Sequence, residues 1–561
     1  MVKHSFMSQF FLIAAWLLPN HYPPWVNFHS EFVTFLGLGV LLWSWLKTST
    51  SPLSLPTISL ATLLLAAIPV AQHLFGLVFY AGDAVVSSFY IFCFAVAIAL
   101  GYANSLVRAV ERCAWQLPAN VLVAASAAST LLAVLQWLSL TEGFSTFVTP
   151  TDIGDRAMAN LGQPNQLASL MLMGLAALVF KFERHKVNPL LFTIVALLLT
   201  WGIVLTESRS AILSAAVMAA FIAYKVRSRR LAGEPLRLRA IYIYAWLGAY
   251  FLAAMAFPAV NAALLLHEER SIGLLNNNGR AAIWMQTLYA IKESPWLGYG
   301  WNQTPVAQAA GALIYPGELS FTNAHNVVLD LLVWVGVPLG LAVSGGFVYW
   351  LFTRAKSVTS TGAIYAMAML TPVLVHSMLE FPFAYAYFLL MAGLLIGIIE
   401  ADCTTKTPFT VPRRAAIAVL AVFTTIGCYS AYEYLLIEED YRVARFENLK
   451  VGRTEAGYER PPIFVHTQMA ALLAALRQPA VRQMDGAQLE RLRTIALRFG
   501  MRPLVFRYAV ALGLNGEPAA AAKQMLVFRG MFGERAYQRF KVEFQTELAQ
   551  KYPELAAIEL P

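Results

Sequence analysis

The chain has 561 residues, of which 58% are hydrophobic and only 13% charged, against about 25% charged in a soluble domain. That deficit makes a bilayer, not water, the solvent for most of the chain. The net charge of +9 and the pI near 9.3 are assigned to the cytoplasmic loops of a membrane protein rather than to nucleic acid. The four cysteines, Cys93, Cys113, Cys403 and Cys428, are too scattered for a metal or disulfide pattern.

A helix that crosses a bilayer needs about 20 apolar residues. Thirteen stretches qualify, near 5–19, 28–46, 58–80, 83–103, 119–140, 164–181, 189–206, 209–225, 239–265, 324–353, 362–379, 381–401 and 415–435. The first apolar run, Phe10 to Leu18, has no small-residue cleavage site, so it is expected to remain as a span. Lys3, Lys47, Arg108 with Arg112, Lys181-Arg184-Lys186, Lys225-Arg227-Arg229-Arg230, Arg354-Lys356 and Lys406-Arg413-Arg414 fall in every second connection. Positive loops mark the cytoplasmic side, so the N-terminus is expected inside and, with an odd number of spans, the C-terminus outside. The long connections 141–163 and 266–323 are then extracytoplasmic. The tail, 436–561, is richer in Arg, Glu and Gln and reads as a separate set of amphipathic helices. Within it, Pro503 to Met525 predicts two helices around a turn at Asn515-Gly516-Glu517-Pro518. That is a tetratricopeptide-like hairpin, although one unit is no repeat array, and a small helical domain of unspecified role is the plainer reading.

Five polar constellations interrupt this apolar background. Arg156-Ala157-Met158-Ala159-Asn160-Leu161-Gly162-Gln163-Pro164-Asn165-Gln166 enters the sixth span. Asn165 or Gln166 can cap that helix, with Pro164 at an early position. Alternatively, the amides at a helix N-terminus bind an anion or sugar hydroxyls. Glu207-Ser208-Arg209-Ser210 separates the seventh and eighth spans. It is either a solvated turn whose charges pair with each other or the wall of a polar cavity. Asn276-Asn277-Asn278-Gly279-Arg280 precedes an amphipathic helix that ends near Gly298-Tyr299-Gly300. A cation at the start of a helix opposes the dipole, so Arg280 is either a surface residue or the partner of an anion such as phosphate. Asn323-Ala324-His325-Asn326 opens the tenth span, and a histidine at such a mouth suits proton transfer. His376 and Glu380 lie four residues apart, on one helix face. They either bond internally or orient a partner. A metal site would need His325 near His376, which no spacing requires.

By the loop charges, all five constellations open on the extracytoplasmic side. Two or three arginines with a histidine suit an anionic ligand and a proton acceptor, and the membrane setting suits a lipid-linked substrate. Asn278-Gly279-Arg280, Gly298-Tyr299-Gly300 and Asn323-Ala324-His325-Asn326 resemble the large periplasmic loop region of the bacterial O-antigen ligase and polymerase superfamily. Arg156 to Gln166, Leu18-Pro19-Asn20-His21-Tyr22-Pro23-Pro24-Trp25 and His376 to Pro382 resemble the PglL-type O-oligosaccharyltransferases within it. The resemblance covers roughly 1–435, and Phe381 stands where relatives carry tyrosine.

This resemblance implies an all-α, GT-C-like membrane fold with about 13 transmembrane helices in 1–435 and a periplasmic helical domain in 436–561. It implies a Gram-negative inner-membrane glycosyltransferase, independent of metal and with no cofactor. The oligosaccharide would pass en bloc from undecaprenyl diphosphate to Ser or Thr of an exported protein such as a pilin. On this reading His325 is the base and Arg280 and Arg209 hold the diphosphate, with Arg156 a further candidate. Glu207, His376 and Glu380 orient these groups or the acceptor, and Gln163, Asn165, Asn278 and Asn326 are candidate substrate contacts. An O-antigen ligase to lipid A core or a polymerase would share the donor. A transporter of lipid-linked sugars would instead need polar groups at several depths.

Overall fold

The computed structural model describes residues 2–106, 116–152, 155–266, 278–404 and 409–560. Arg108, Arg112, Cys113, Asn276, Asn277 and Lys406 lie outside these, as do the side chains of Lys3 and Asn278. Each of the thirteen expected spans falls on helix. The helices are Val2–Leu17, Phe28–Thr48, Thr57–Leu65 with Ile68–Leu74, Ala81–Leu106, Gln116–Trp137, Pro164–Glu183 and Pro189–Leu205. They continue as Arg209–Leu231, Ala240–Ala263, Val327–Ser357, Thr361–Ser377, Ala386–Cys403 and Arg413–Leu449. Among the described residues nine helices are long and apolar enough to cross a membrane, and three shorter ones are also apolar. This is a polytopic all-α membrane protein. Its only sheet among the described residues pairs Leu53–Leu55 antiparallel with Phe409–Val411.

Three boundaries differ from expectation for identifiable reasons. The third span breaks between Leu65 and Ile68, where Pro69 opens the second piece. Proline lacks the N–H that an interior turn needs but fits a first turn. The tenth span starts at Val327 because the Asn326 side chain caps it, accepting from Val328 N at 3.0 Å and Leu329 N at 3.2 Å. The last span runs on as helix to Leu449, its second half turning amphipathic.

Contacts divide the chain into two compact units. The first comprises Met1–Leu65, Tyr90–Ile272 and Val348–Gly427, the second Ala66–Phe89, Gly273–Phe347 and Cys428–Pro561. At the centre of the first, Pro164–Glu183 is buried around its whole circumference from Gln166 to Leu178, as is most of Thr361–Ser377. A helix apolar on all sides must be covered on all sides. Ala240–Ala263 instead exposes Tyr242, Tyr244, Phe251, Leu252 and Met255, side chains that lipid suits and water does not. Charges inside this unit are matched. Arg354 grips Glu400 through two hydrogen bonds of 2.8 and 2.7 Å, and Trp350 Nε1 adds a third at 2.9 Å. Buried Lys225 donates to the carbonyls of Lys356 and Val358 at 3.0 and 2.9 Å.

The second unit gathers the tail helices. The expected helix–turn–helix is present as Arg502–Leu514 and Pro518–Phe532. Phe506, Phe528, Phe540 and Phe544 fill the core beside it. Asp83 accepts a two-pronged bond from Arg498 at 2.6 and 2.7 Å. Burial works against the guanidinium's charge, and the Asp83 carboxylate outweighs it and raises the Arg498 pKa above its ordinary value. Gly82 N donates to Thr467 Oγ1 at 2.9 Å. Residues from distant parts of the sequence thus belong to one packed unit.

Gly298-Tyr299-Gly300 serves the same unit. Val327–Ser357 is interrupted at Gly336, whose φ of 79° and ψ of 168° are not helical, with Pro338 following. The break frees backbone groups that must be paired. Tyr299 N donates to Val333 O, and Val337 N to Pro295 O, both at 2.7 Å. Gly298 (φ 69°) approaches so closely that a Cβ would sit 2.3 Å from Val333 O. Tyr299 Oη bonds to Ala290 O at 3.0 Å, and burial pushes its phenol up to about 12, so it remains a donor. Gly298→Ala is therefore expected to cost about 2 kcal/mol or more. A lowered thermal unfolding midpoint of the detergent-solubilised protein checks this, and an unchanged midpoint contradicts it.

Candidate functional site

The first unit brings three of the five constellations together around one buried carboxylate, Glu380. The helix Thr361–Ser377 ends just before it, and Glu380 N still bonds back to His376 O at 2.8 Å. Glu380 accepts from the Gln163 side-chain amide and from Asn165 Nδ2, the latter at 2.6 Å. His376 Nε2 lies 3.6 Å from Glu380 Oε2, while its Nδ1 is 2.9 Å from Ser169 Oγ. Asn165 Oδ1 accepts from Ser208 Oγ at 2.7 Å and from Arg156 Nη2 at 3.2 Å. Arg156 Nε in turn donates to Thr206 O at 2.6 Å. An amide can serve an acceptor and two donors at once because its two ends differ, and Asn165 uses both ends.

This geometry displaces the capping reading of the 156–166 segment. The cap position is Gln163, Pro164 begins the helix, and no side chain makes the cap bond. Asn165 is drawn to Glu380, and Gln166 Oε1 accepts from Tyr387 Oη at 2.9 Å. In the second constellation Glu207 and Arg209 do not pair with each other. Ser208 is the helix cap, accepting from Ala211 N at 3.3 Å. Glu207 is half-buried with φ 45°. Arg209 is exposed at the first helical position and has no ion pair among the described residues. A cation there opposes the helix dipole.

Several further side chains, not among the candidate site residues, hold this region together. Gln136 Oε1 accepts from Met158 N at 3.1 Å and Ala159 N at 2.7 Å, and Nε2 donates to Thr149 O and Ala159 O. Asn160 accepts from Thr149 N and donates to Leu17 O and Phe147 O, and His21 bonds to the Asn160 carbonyl at 2.9 Å. These bonds hold the loop before Pro164, including Ala159 at φ 50°. Buried Glu31 accepts from Tyr90. A glutamine or glutamate inside an apolar run was the available signal, because such groups are buried only with partners.

The second unit carries the other two constellations. His325 is half-buried with φ 55°, a conformation that costs energy outside glycine and often marks functional loops. Its loop is held from one side by Asn326, whose oxygen is committed to the helix cap. From the other side, buried Asp330 Oδ1 accepts from Ala324 N at 2.8 Å and Thr304 Oγ1 at 3.1 Å. Arg280 is half-buried in the first turn of Asn278–Glu293. Among the described residues no group of three or more His, Cys, Asp or Glu side chains is placed to hold a metal ion.

Hydrogen-bonded amides and a buried carboxylate in the first unit, and a strained histidine loop in the second, are polar features set among apolar helices. The comparisons are specific. Residues 194–344 match the O-Antigen ligase family, 157–182 the Protein glycosylation ligase family, and 364–547 the family described as Virulence factor membrane-bound polymerase, C-terminal. The General O-oligosaccharyltransferase of Acinetobacter baylyi is 29% identical over 523 residues, covering 91% of this chain and 89% of that protein. The ComP-specific O-oligosaccharyltransferase of the same organism is 28% identical over 402 residues, 70% of each. The chain thus resembles the PglL-type O-oligosaccharyltransferases of the O-antigen ligase superfamily, and it is a glycosyltransferase.

Glu380→Gln retains shape but turns an amide toward the Gln163 and Asn165 donors. It is expected to destabilise the protein by about 1–3 kcal/mol and to lower transfer. Thermal unfolding of purified protein beside an in-vesicle transfer assay measures both, and wild-type values in both would contradict the network.

Proposed function

We propose that this enzyme transfers an oligosaccharide en bloc from undecaprenyl diphosphate to Ser or Thr hydroxyls of exported proteins such as pilins. The setting is the periplasmic side of a Gram-negative inner membrane, with the N-terminus cytoplasmic, residues 1–435 as the transferase domain and 436–561 as a periplasmic helical domain. The observation that carries this reading is that the segment matched as Protein glycosylation ligase is the one whose Gln163 and Asn165 are bonded to Glu380. Two relatives bear the name O-oligosaccharyltransferase.

In the proposed step the acceptor hydroxyl oxygen attacks the anomeric carbon and its proton passes to His325. The bond from that carbon to the diphosphate oxygen breaks, and undecaprenyl diphosphate leaves as an anion. Cations placed where this charge develops stabilise the transition state. Arg209, exposed and without an ion pair among the described residues, and Arg280 are assigned that role. Gln163 and Asn165 bond to Glu380 and His376 bonds to Ser169 with its other nitrogen facing Glu380 at 3.6 Å, so the four are assigned to orient their segments, together with Glu207 and Arg156. Asn326 holds the His325 loop. Asn278 remains a candidate substrate contact.

A second reading keeps the donor and changes the acceptor to a lipid or a growing glycan, since the O-Antigen ligase and polymerase families also match. Co-expression with a candidate pilin and a lipid-linked glycan pathway separates the two. A glycan-sized mass shift on the pilin supports protein transfer, and altered lipopolysaccharide banding alone refutes it.

General-base catalysis contributes about 10²–10⁴-fold. His325→Ala is therefore expected to lose transfer by that factor while membrane insertion persists. Full activity in a correctly inserted His325→Ala protein would remove the histidine from the mechanism.

A further inference from the structure

The second unit contains a half-open cavity of about 690 Å³, away from the His325 loop's own hydrogen bonds. One wall is the helix Asn278–Glu293, through Gly279, Ala282, Ile283 and Gln286. A second is the chain 312–319, and the third is the end of Pro518–Phe532 with the start of Glu534–Val542. The walls are pinned to one another. Gln286 Nε2 donates to Tyr315 O and Gly530 O, both at 2.9 Å, and Gln308 Nε2 bonds to Gln286 Oε1 at 3.1 Å. Gly317 N donates to Gly530 O at 2.7 Å. Gly530 permits this approach, since a Cβ there would sit 2.1 Å from Ala312 O.

The lining is both apolar and charged. Leu313 and Leu319 are 40% and 62% exposed at its edge, with Leu526 and Ile283 also lining it. Exposed apolar surface rimmed by polar groups marks a docking site, and pockets of roughly 300–1,000 Å³ take small ligands or short segments. Arg529 is paired with Glu534 at 2.5 Å. Glu318 is exposed and has neither hydrogen bond nor ion pair among the described residues. The net lining charge is therefore negative.

These features select the occupant. A lipid diphosphate is repelled by the surplus carboxylate. A neutral glycan gains little from leucines, and hydrocarbon does not tolerate Glu318, Arg529 and Glu534. An extended polypeptide offers what the cavity lacks: apolar side chains for Leu313, Leu319 and Leu526, and N–H or basic groups for Glu318. We propose that this cavity seats a segment of the acceptor polypeptide, holding it for transfer at a serine or threonine elsewhere on its surface. The inference rests on the proposed transfer to protein and adds where the acceptor is held. Gly279 lines the cavity and Arg280 follows it in the same helix, so acceptor docking and a proposed diphosphate contact share one element.

The test uses full-length enzyme in lipid nanodiscs, with a purified pilin as acceptor and a lipid-diphosphate-linked oligosaccharide as donor. Leu313→Asp/Leu319→Asp changes two exposed side chains, and Glu318→Lys reverses the surplus charge. For both, the KM for pilin is expected to rise about tenfold or more. The kcat at saturating pilin, the donor KM and the release of free oligosaccharide to water should stay at wild-type levels. An unchanged pilin KM with active wild-type enzyme overturns the cavity assignment alone. A raised donor KM overturns it too and gives the cavity to the glycan. If wild-type enzyme modifies no pilin yet releases oligosaccharide to water, the protein-transfer reading and this inference fall together.

Discussion

Polar groups carried into a bundle of apolar helices must find partners there, because no water is at hand and each unpaired group costs several kcal/mol. Glu380 is where the first unit meets that constraint most fully. Its two oxygens accept from Gln163 and Asn165, and Asn165 passes the constraint on to Ser208 and Arg156. Segments from three connections are thereby fixed to one carboxylate. In the connections that carry these segments, Ala159 and Glu207 adopt left-handed backbone. Such loops persist only when their surroundings over-determine them, and for the 156–166 segment Gln136 and Asn160 supply that determination.

The second unit solves a related problem with backbone rather than charge. Breaking Val327–Ser357 at Gly336 leaves peptide groups unsatisfied, and the Gly298-Tyr299-Gly300 turn meets them. A motif that suggests chemistry by its glycines is thus structural. Its glycines allow two backbones to meet at a distance no Cβ permits. Beside it, Asp330 and Asn326 hold the loop that carries His325. The histidine is held in a well-bonded frame, as its proposed role of proton acceptor requires.

The helices were legible because hydropathy reports them directly, and all thirteen stretches are helical. Helix ends were less legible, since Pro69, Asn326 and the amphipathic run to Leu449 act locally against the hydropathy trend. The candidate residues were legible as rare polar groups, but their partners were not. Glu380 and Asn165 are more than 200 residues apart, and nothing in either segment announces the other. The same holds for Asp83 and Arg498. Gln136 went unnoticed because one glutamine within an apolar span resembles a tolerated exception, although four hydrogen bonds converge on it.

Under the proposed function, the 156–166 and 376–380 segments act as one device in glycan transfer. The most direct measurement is a double-mutant cycle on transfer rate with Asn165→Ala, Glu380→Ala and both together, in enzyme of verified membrane insertion. If the two side chains act through each other, the double variant loses scarcely more than the worse single one, with a coupling of about 1 kcal/mol or more. If the two losses simply multiply, the residues act independently and the account is contradicted.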